Sequence, residues 1–340
     1  MDTAQIRCGI KECPEEALAM AKFCWDHLPD KVAYSAMLAA EAGAGGSLAG
    51  SNLKKVVLRG AHIEKAVLDK ANLAQADLSG TRFFDCSLKG ADMIGADLSG
   101  CDFTHCSMEG ADITRGRLSG SRLWNSRLSG SNLTECDLSN TDLWNANLFN
   151  VRLWRTNLAG SRSLKKASFS GGTGRFDRIG INEEGALSAE ESYMDLKNYF
   201  MSNGMYNDAS WASFKEKSME RLVLKKKGDW TYIPSLMMNI LCGYGEKPYR
   251  IVLSAIATIT MFATLYHAFG AVERHCDPSY IMRWYDYLYY SVITFTTVGY
   301  GDFVPKSSGL FRLLAAAECF CGVFVTGLFI FTLARKYSAR

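Results

Sequence analysis

The chain has 340 residues, a formal net charge of +3 at pH 7 and 48% hydrophobic residues. This length allows two or three domains, and so small a net charge neither requires nor excludes a nucleic-acid partner or an acidic substrate. Apolar residues are concentrated in 248–340, whereas residues 1–247 are typical of a soluble segment. The N-terminus lacks the apolar segment of a signal peptide, so we expect none.

Four potential metal ligands lie near the start, in the segment 1–40 that we take as a small module. Cys8, Cys13, Cys24 and His27 have the spacing C-x4-C-x10-C-x2-H. Two close ligand pairs suit tetrahedral zinc, and four protein ligands indicate a structural ion. In so short a segment the metal would supply folding free energy. The pattern resembles small bacterial zinc-binding hairpins. Unrelated cysteines beside a surface histidine, or a redox sensor, are the alternatives.

A five-residue repeat runs from Leu48 to Leu158. Every fifth position is large and apolar, and a small side chain usually lies two residues before it. This period matches neither a helix nor a strand. The pattern resembles the pentapeptide-repeat family, A(D/N)LXX. The resemblance implies a right-handed quadrilateral β-helix over 46–170, with about 20 residues per coil and about six coils stacked about 4.8 Å apart.

Outward positions of such a coil should stack on residues 20 further along. Trp124 and Trp144 would then lie together, near Trp154, either as a self-stacking ladder or as a docking surface for a neighbouring subunit or the following helices. A column of alternating charge is also expected, made of Arg82, Asp102, Arg122, Asp142 and Arg162.

Residues 171–247 are predicted to be a helical hairpin and an interfacial linker. Ser188 starts a capping box, so we expect a helix from there to about Ser202 and a second from Asp208. The run PSLMMNIL, 234–241, is typical of an amphipathic helix that lies along the inner leaflet of a membrane.

Two apolar runs are long enough to cross a membrane, and we assign them to 250–272 and 310–335. The first is about 33 Å long as a helix, against a hydrocarbon core of about 30 Å. A buried helix of a soluble protein is the alternative. Basic residues precede the first run and follow the second, which predicts that both termini are cytoplasmic.

Between these runs, 284–302 contains a short helix followed by an extended loop. Trp284 to Phe295 is too short to span a bilayer and suits a re-entrant half-helix. Non-helical backbone at membrane depth persists only where protein covers it or water meets it, so this loop must line a pore. The sequence TTVGYGD, Thr296 to Asp302, resembles the selectivity filter of the potassium-channel pore family.

The resemblance implies a tetramer in which four loops surround one axis and their backbone carbonyls replace the water of K⁺. Gly299 and Gly301 suit such a backbone because it needs unusual dihedral angles. Val298 and Tyr300 should face away from the axis and wedge the loop against the half-helix. Thr296 and Asp302 are expected to support the filter. The implied ion ligands are Thr297, Val298, Gly299, Tyr300 and Gly301.

Three further positions lie in the second run. Glu318 would cost about 2.5–3.5 kcal/mol in lipid, so it should face the pore helix or the cavity. There it could attract cations or form a hydrogen bond with Ser291 or Thr294. Gly322 and Gly327 are candidates for a gating hinge, or are small residues that permit close helix packing.

We therefore predict a multidomain membrane protein with a zinc module, a β-helix, a helical linker and, over 248–340, an all-α two-span pore domain with a re-entrant pore helix. The predicted function is passive, K⁺-selective conduction across the cell membrane by a homotetramer, with N-terminal domains as scaffold or sensor for an unknown ligand. We expect K⁺ and structural Zn²⁺, a lipid bilayer, no nucleic acid and no enzymatic activity. A non-selective cation pore and a silent structural membrane protein are the alternatives.

Overall fold

The computed structural model describes residues 7–169, 185–277 and 279–338. The chain divides into two units, Met1–Val223 and Leu224–Arg340, and each has its own hydrophobic core. The N-terminal unit contains the five-residue repeat. The C-terminal unit contains the two long apolar helices.

The repeat folds into stacked coils of 20 residues. Strand β1 (His62–Glu64) pairs in parallel with β2 (Arg82–Phe84), and single parallel bridges with the same offset continue to Asp142 and Arg162. The large side chains at every fifth position from Leu48 to Leu158 are all buried. The backbone has a positive φ at every fifth residue from 45 to 160, so each coil turns four times.

The predicted outward columns are present. Arg82, Asp102, Arg122, Asp142 and Arg162 follow one another through parallel bridges. The rings of Trp124 and Trp144 lie 6.2 Å apart in an edge-to-face arrangement. Nε1 of Trp154 donates to Oε2 of Glu191 on the following helix at 2.6 Å. Trp154 therefore contacts the helix that follows the coils. Trp144, in contrast, is 54% exposed within the chain.

The N-terminal end of the coil stack is covered by the helix α1 (Lys31–Gly43) and by the segment that carries the cysteines. Asp30 caps α1 by accepting a hydrogen bond from the amide of Ala33 at 2.9 Å. Leu38 of α1 is fully buried in the same core as the coil. The side chain of Asn52 donates to the carbonyl of Ala17 at 3.1 Å.

The other end of the stack is covered by a 3-10 turn (Lys166–Phe169) and two helices, α2 (Ala186–Ser202) and α3 (Tyr206–Lys227). The hydroxyl of Tyr199 donates to the carbonyl of Ser161 at 3.0 Å. The predicted capping box at Ser188 is wrong. The helix already begins at Ala186, and the Ser188 hydroxyl donates back to Gly185 within its first turn.

The C-terminal unit contains four helices, α4 (Tyr232–Cys242), α5 (Pro248–Phe269), α6 (Trp284–Phe295) and α7 (Gly309–Ser338), among its described residues. Helices α5 and α7 are long and apolar enough to cross a membrane. The short strands β3 (Val272–Arg274) and β4 (Phe303–Pro305) pair in antiparallel fashion.

The first apolar helix is shorter at its end than the predicted span of 250–272. Helix α5 ends at Phe269 because Gly270 adopts a left-handed conformation with φ 54°. Val272 then starts strand β3. Pro248 at the first helical position, where its missing N–H costs nothing, explains the start of α5.

Candidate functional site

The loop after α6 has an alternating backbone. Thr297, Gly299 and Gly301 have φ values of 60°, 53° and 78°. A backbone in which left-handed and right-handed conformations alternate directs successive carbonyls to one side and the N–H groups to the other. The positive φ of Thr297 is the feature that sequence reasoning missed, because a β-branched residue with positive φ is rare and its left-handed conformation costs about 1–2 kcal/mol.

The amides of this loop are bonded to the last turn of α6. The N–H groups of Val298 and Gly299 both donate to the carbonyl of Ile293, at 3.0 and 3.3 Å, and the N–H of Thr297 donates to Thr294 at 3.1 Å. These bonds also satisfy carbonyls that a helix end leaves without a partner in its own ladder. The carbonyls of Thr297 and Val298 point opposite to the amides of Val298 and Gly299 in the same peptide groups, so they are directed away from α6.

The side chains of Val298 and Tyr300 do not wedge the loop against α6 within one chain. They are 53% and 73% exposed. Ile293 and Phe295 of α6 are buried instead in the hydrophobic clusters that α6 forms with α5 and α7. The wedge prediction was made for four loops around one axis, so it stays a prediction for the assembled pore.

The C-terminal end of the loop is bonded to the residue that follows β3. The amide of His275 donates to the carbonyl of Asp302 at 2.9 Å. The Tyr289 ring of α6 meets Phe303 of β4 edge to face at 5.8 Å. The backbone of Asp302 is thus bonded to the residue that follows β3, and its neighbour Phe303 contacts α6.

Glu318 of α7 is fully buried and forms hydrogen bonds with side chains on two other helices. The hydroxyl of Tyr266 on α5 lies 2.7 Å from Oε2, and Ser291 on α6 hydrogen-bonds with Oε1. The structure therefore bears out the hydrogen-bond interpretation for Ser291 and does not bring Thr294 to this carboxyl group. Tyr266 was not anticipated, because it lies 52 residues away on another helix.

The two glycines of α7 differ in their surroundings. A Cβ atom on Gly322 would lie 1.9 Å from the carbonyl oxygen of Phe295, whereas a Cβ atom on Gly327 would meet nothing within 4 Å. Gly322 thus permits close contact of α7 with the end of α6. This position favours the packing interpretation for Gly322.

Cys8, Cys13, Cys24 and His27 form a second cluster, in which the four ligand atoms lie within 4.8 Å of one another. The sulfurs of Cys13 and Cys24 are 3.8 Å apart, and Nδ1 of His27 is 3.5 Å from the sulfur of Cys8. Zinc–ligand distances of about 2.3 and 2.0 Å give tetrahedral edges of about 3.8 and 3.5 Å. These two separations therefore fit a tetrahedral ion, and the sulfur of Cys24 lies slightly closer to Nδ1 of His27, at 3.2 Å.

The electrostatics of this cluster favour a thiolate. Burial opposes ionisation of Cys8, but the backbone N–H groups of Cys24 and Ile10 and the ring of His27 outweigh it. Together they lower the pKa of the Cys8 thiol to about 6. A deprotonated sulfur is the form that binds zinc.

Comparison with known proteins gives the same division of the chain. An ion-channel family matches residues 254–339, and pentapeptide repeats match 47–84, 81–120 and 126–162. The chain is 36% identical over 67 residues to potassium channel protein kcv of Paramecium bursaria Chlorella virus 1, of which it covers 68%. The chain belongs to the potassium channel family. The fold prediction of repeats joined to a channel domain is thereby confirmed.

The match of this potassium channel family member to other relatives covers only part of their length. Two pore potassium channel b of Oryza sativa subsp. japonica is 37% identical over 92 residues, which are 27% of this chain and 26% of that relative. The solved structure of HetL, a pentapeptide repeat protein from the cyanobacterium Nostoc, is 25% identical. The match covers 35% of this chain and 64% of the HetL chain, with a TM-score of 0.20.

Proposed function

We propose that four copies of this chain form a pore that conducts K⁺ selectively and passively across the cell membrane, with both termini in the cytoplasm. The proposed ion ligands are the backbone carbonyls of Thr297, Val298, Gly299, Tyr300 and Gly301. The observation that carries the proposal is the alternation of φ at 297, 299 and 301. It directs successive carbonyls to the side opposite the amides, and the amides of Val298 and Gly299 are bound by α6.

Selective conduction requires that protein oxygens replace the hydration shell of the ion. One loop supplies oxygens on one side only, so several loops must surround the ion. The exposed side chains of Val298 and Tyr300 support the same conclusion, because non-helical backbone at membrane depth must be covered by protein or water. Neighbouring copies of the chain would provide this cover and the packing that one chain lacks.

The test is reconstitution of the full chain into liposomes with K⁺ inside and Na⁺ outside. We expect K⁺ efflux and a reversal potential close to that of K⁺, with valinomycin as the positive control. Equal permeability to Na⁺ would indicate a non-selective pore. Flux no greater than in protein-free liposomes would leave only a structural role. Chemical crosslinking in the membrane should give a ladder that ends at four subunits.

A matched pair of glycine variants connects the flux to the loop. Gly299 has φ 53°, so Gly299→Ala places a Cβ atom on a left-handed backbone at a cost of about 1–2 kcal/mol. Gly309 begins α7 with nothing within 4 Å of an added Cβ. We expect Gly299→Ala to lose K⁺ selectivity and Gly309→Ala to retain it.

The N-terminal unit is proposed to be a scaffold. We take the repeat as a right-handed, four-sided β-helix, which is supported by its four turns per coil. We also propose that Cys8, Cys13, Cys24 and His27 hold a structural Zn²⁺, which would secure the segment that packs on the first coil. Lys54 forms an ion pair with Glu15 of that segment at 2.8 Å.

A further inference from the structure

Helix α7 holds the end of α6 at two points. Ser291 hydrogen-bonds with Glu318, and the carbonyl of Phe295 lies against Gly322. On each helix the two positions are four residues apart and therefore lie on the same face. The two contacts thus fix both the distance between the helices and their relative register. We refer to Ser291, Phe295, Glu318 and Gly322 as the clamp.

Helix α5 completes the first contact. The hydroxyl of Tyr266 lies 2.7 Å from Oε2 of Glu318, and the hydroxyl of Ser291 lies 2.9 Å from the carbonyl oxygen of Ile259. Tyr290 packs edge to face on Tyr266 with ring centroids 5.1 Å apart. Ser291, Tyr266 and Glu318 are all fully buried, so water cannot replace a lost hydrogen bond.

The number of hydrogen atoms available favours a neutral Glu318. Three contacts need a hydrogen, namely Tyr266 with Oε2, Oε1 with Ser291, and Ser291 with the carbonyl of Ile259. The two hydroxyl groups supply one each. A carboxylic acid on Glu318 supplies the third by donating to the Ser291 oxygen. In this arrangement every polar group of the junction is satisfied and no net charge is buried.

The clamp lies next to the groups that orient the loop. The carbonyl of Ile293, which accepts the amides of Val298 and Gly299, lies between Ser291 and Phe295 in the sequence. We propose that neutral Glu318 and Gly322 are positioning residues for the filter, which hold the last turn of α6 so that its carbonyls bind the loop amides. The consequence for ion selectivity rests on the proposed function, whereas the consequence for loop order does not.

The test uses the full-length protein and two independent measurements. Hydrogen exchange of peptides covering 293–302 reports protection of the loop amides and needs no conduction. The K⁺ to Na⁺ permeability ratio in liposomes reports filter geometry rather than the amount of folded protein. The variants are Glu318→Gln, Glu318→Ala and Ser291→Ala. Thr264→Val is the control, because the exposed Thr264 hydroxyl donates only within its own helix.

We expect loop exchange to be about 10-fold faster in Glu318→Ala and Ser291→Ala, which corresponds to about 1.4 kcal/mol. The permeability ratio should fall by a similar factor. Glu318→Gln should resemble the parent protein, because its amide can donate to Ser291 and accept from Tyr266. Thr264→Val should also leave both quantities unchanged.

Two results would overturn the proposal. Unchanged loop exchange in Ser291→Ala, which removes a single hydroxyl group, would show that the contact does not hold the loop. A Glu318→Gln protein as perturbed as Glu318→Ala would show that the negative charge is needed. If the parent protein gave no selective flux, the proposed function would fail, and hydrogen exchange would still decide whether the clamp orders the loop.

Discussion

Replacing Gly322 by alanine should destabilise the C-terminal unit, whereas the same change at Gly327 should not. The added Cβ atom at Gly322 would lie 1.9 Å from the carbonyl oxygen of Phe295, and also 2.8 Å from its carbonyl carbon. Ordinary van der Waals contact begins at about 3.4 Å, so α6 and α7 must separate by more than about 1 Å. The clashing atoms belong to the backbone and cannot rotate away.

The expected size of the effect follows from two opposing terms. Overpacking of this kind costs about 1–3 kcal/mol, and a contact this short belongs at the upper end of that range. Alanine is preferred to glycine within a helix by about 1 kcal/mol. The difference is a destabilisation of about 2 kcal/mol for Gly322→Ala. Gly327→Ala has only the favourable term, because nothing lies within 4 Å of the added atom.

The assay is thermal unfolding of the detergent-purified full chain, followed by the fraction that remains soluble and oligomeric. A loss of about 2 kcal/mol should lower the midpoint by about 4–8 °C, and Gly327→Ala should leave it unchanged or raise it. A Gly322→Ala protein that unfolds at or above the parent temperature would refute the reasoning. Equal shifts in both variants would refute it too, since only Gly322 contacts α6.

Three further outcomes are expected. Burial opposes ionisation of Asp102, but Thr104 and Arg122 outweigh it and hold the pKa of its carboxyl group below the usual range. Its contribution to stability is therefore complete above the unfolded pKa of about 3.9 and is lost as pH falls through the lower folded pKa. Thermal unfolding of the full chain, measured against pH, should show a smaller loss of stability in acid for Asp102→Asn than for the parent protein. Trp154→Phe removes the 2.6 Å hydrogen bond to Glu191, so proteolysis at α2 should be faster than in Trp124→Phe, and equal rates would contradict this. Cys13→Ser should lower the zinc content measured by plasma mass spectrometry from about one ion per chain, whereas Cys276→Ser, at an exposed cysteine, should not.

Much of the N-terminal fold was predictable because its information is local. A five-residue period places one large side chain inward and one turn residue outward in every repeat, and the coil register follows from adding four repeats. The fit of Cys13 to Cys24 and of Cys8 to His27 follows from short loops in the same way. The start of α2 was mispredicted because tertiary packing buries Ala186 and Ala189. This packing extends the helix before Ser188, and it outweighs the preference of serine for a capping position.

The contacts of the C-terminal unit were only partly predictable, because they join residues on separate helices. The sequence identified Glu318 as a buried acid and Ser291 as a partner. It carried no signal for Tyr266, whose side chain meets Glu318 only after α5 and α7 pack together. The positive φ of Thr297 was equally hidden, since threonine is not a residue that favours it.

The arrangement of carboxyl groups bears on how the proposed pore would hold a cation. Asp286 accepts the amide of Arg283 at the start of α6, and Glu318 meets Ser291 and Tyr266. Both carboxyl groups are engaged within their own chain. Along α6 and α7 the attraction for K⁺ is then left to the backbone carbonyls of the loop and to the C-terminal end of α6, where the helix dipole favours a cation. Such neutral oxygens bind an ion strongly enough to replace water and weakly enough to release it to the next site. A neutral Glu318 is consistent with this division of roles, because the clamp needs hydrogen bonds from that side chain and the filter needs no charge from it.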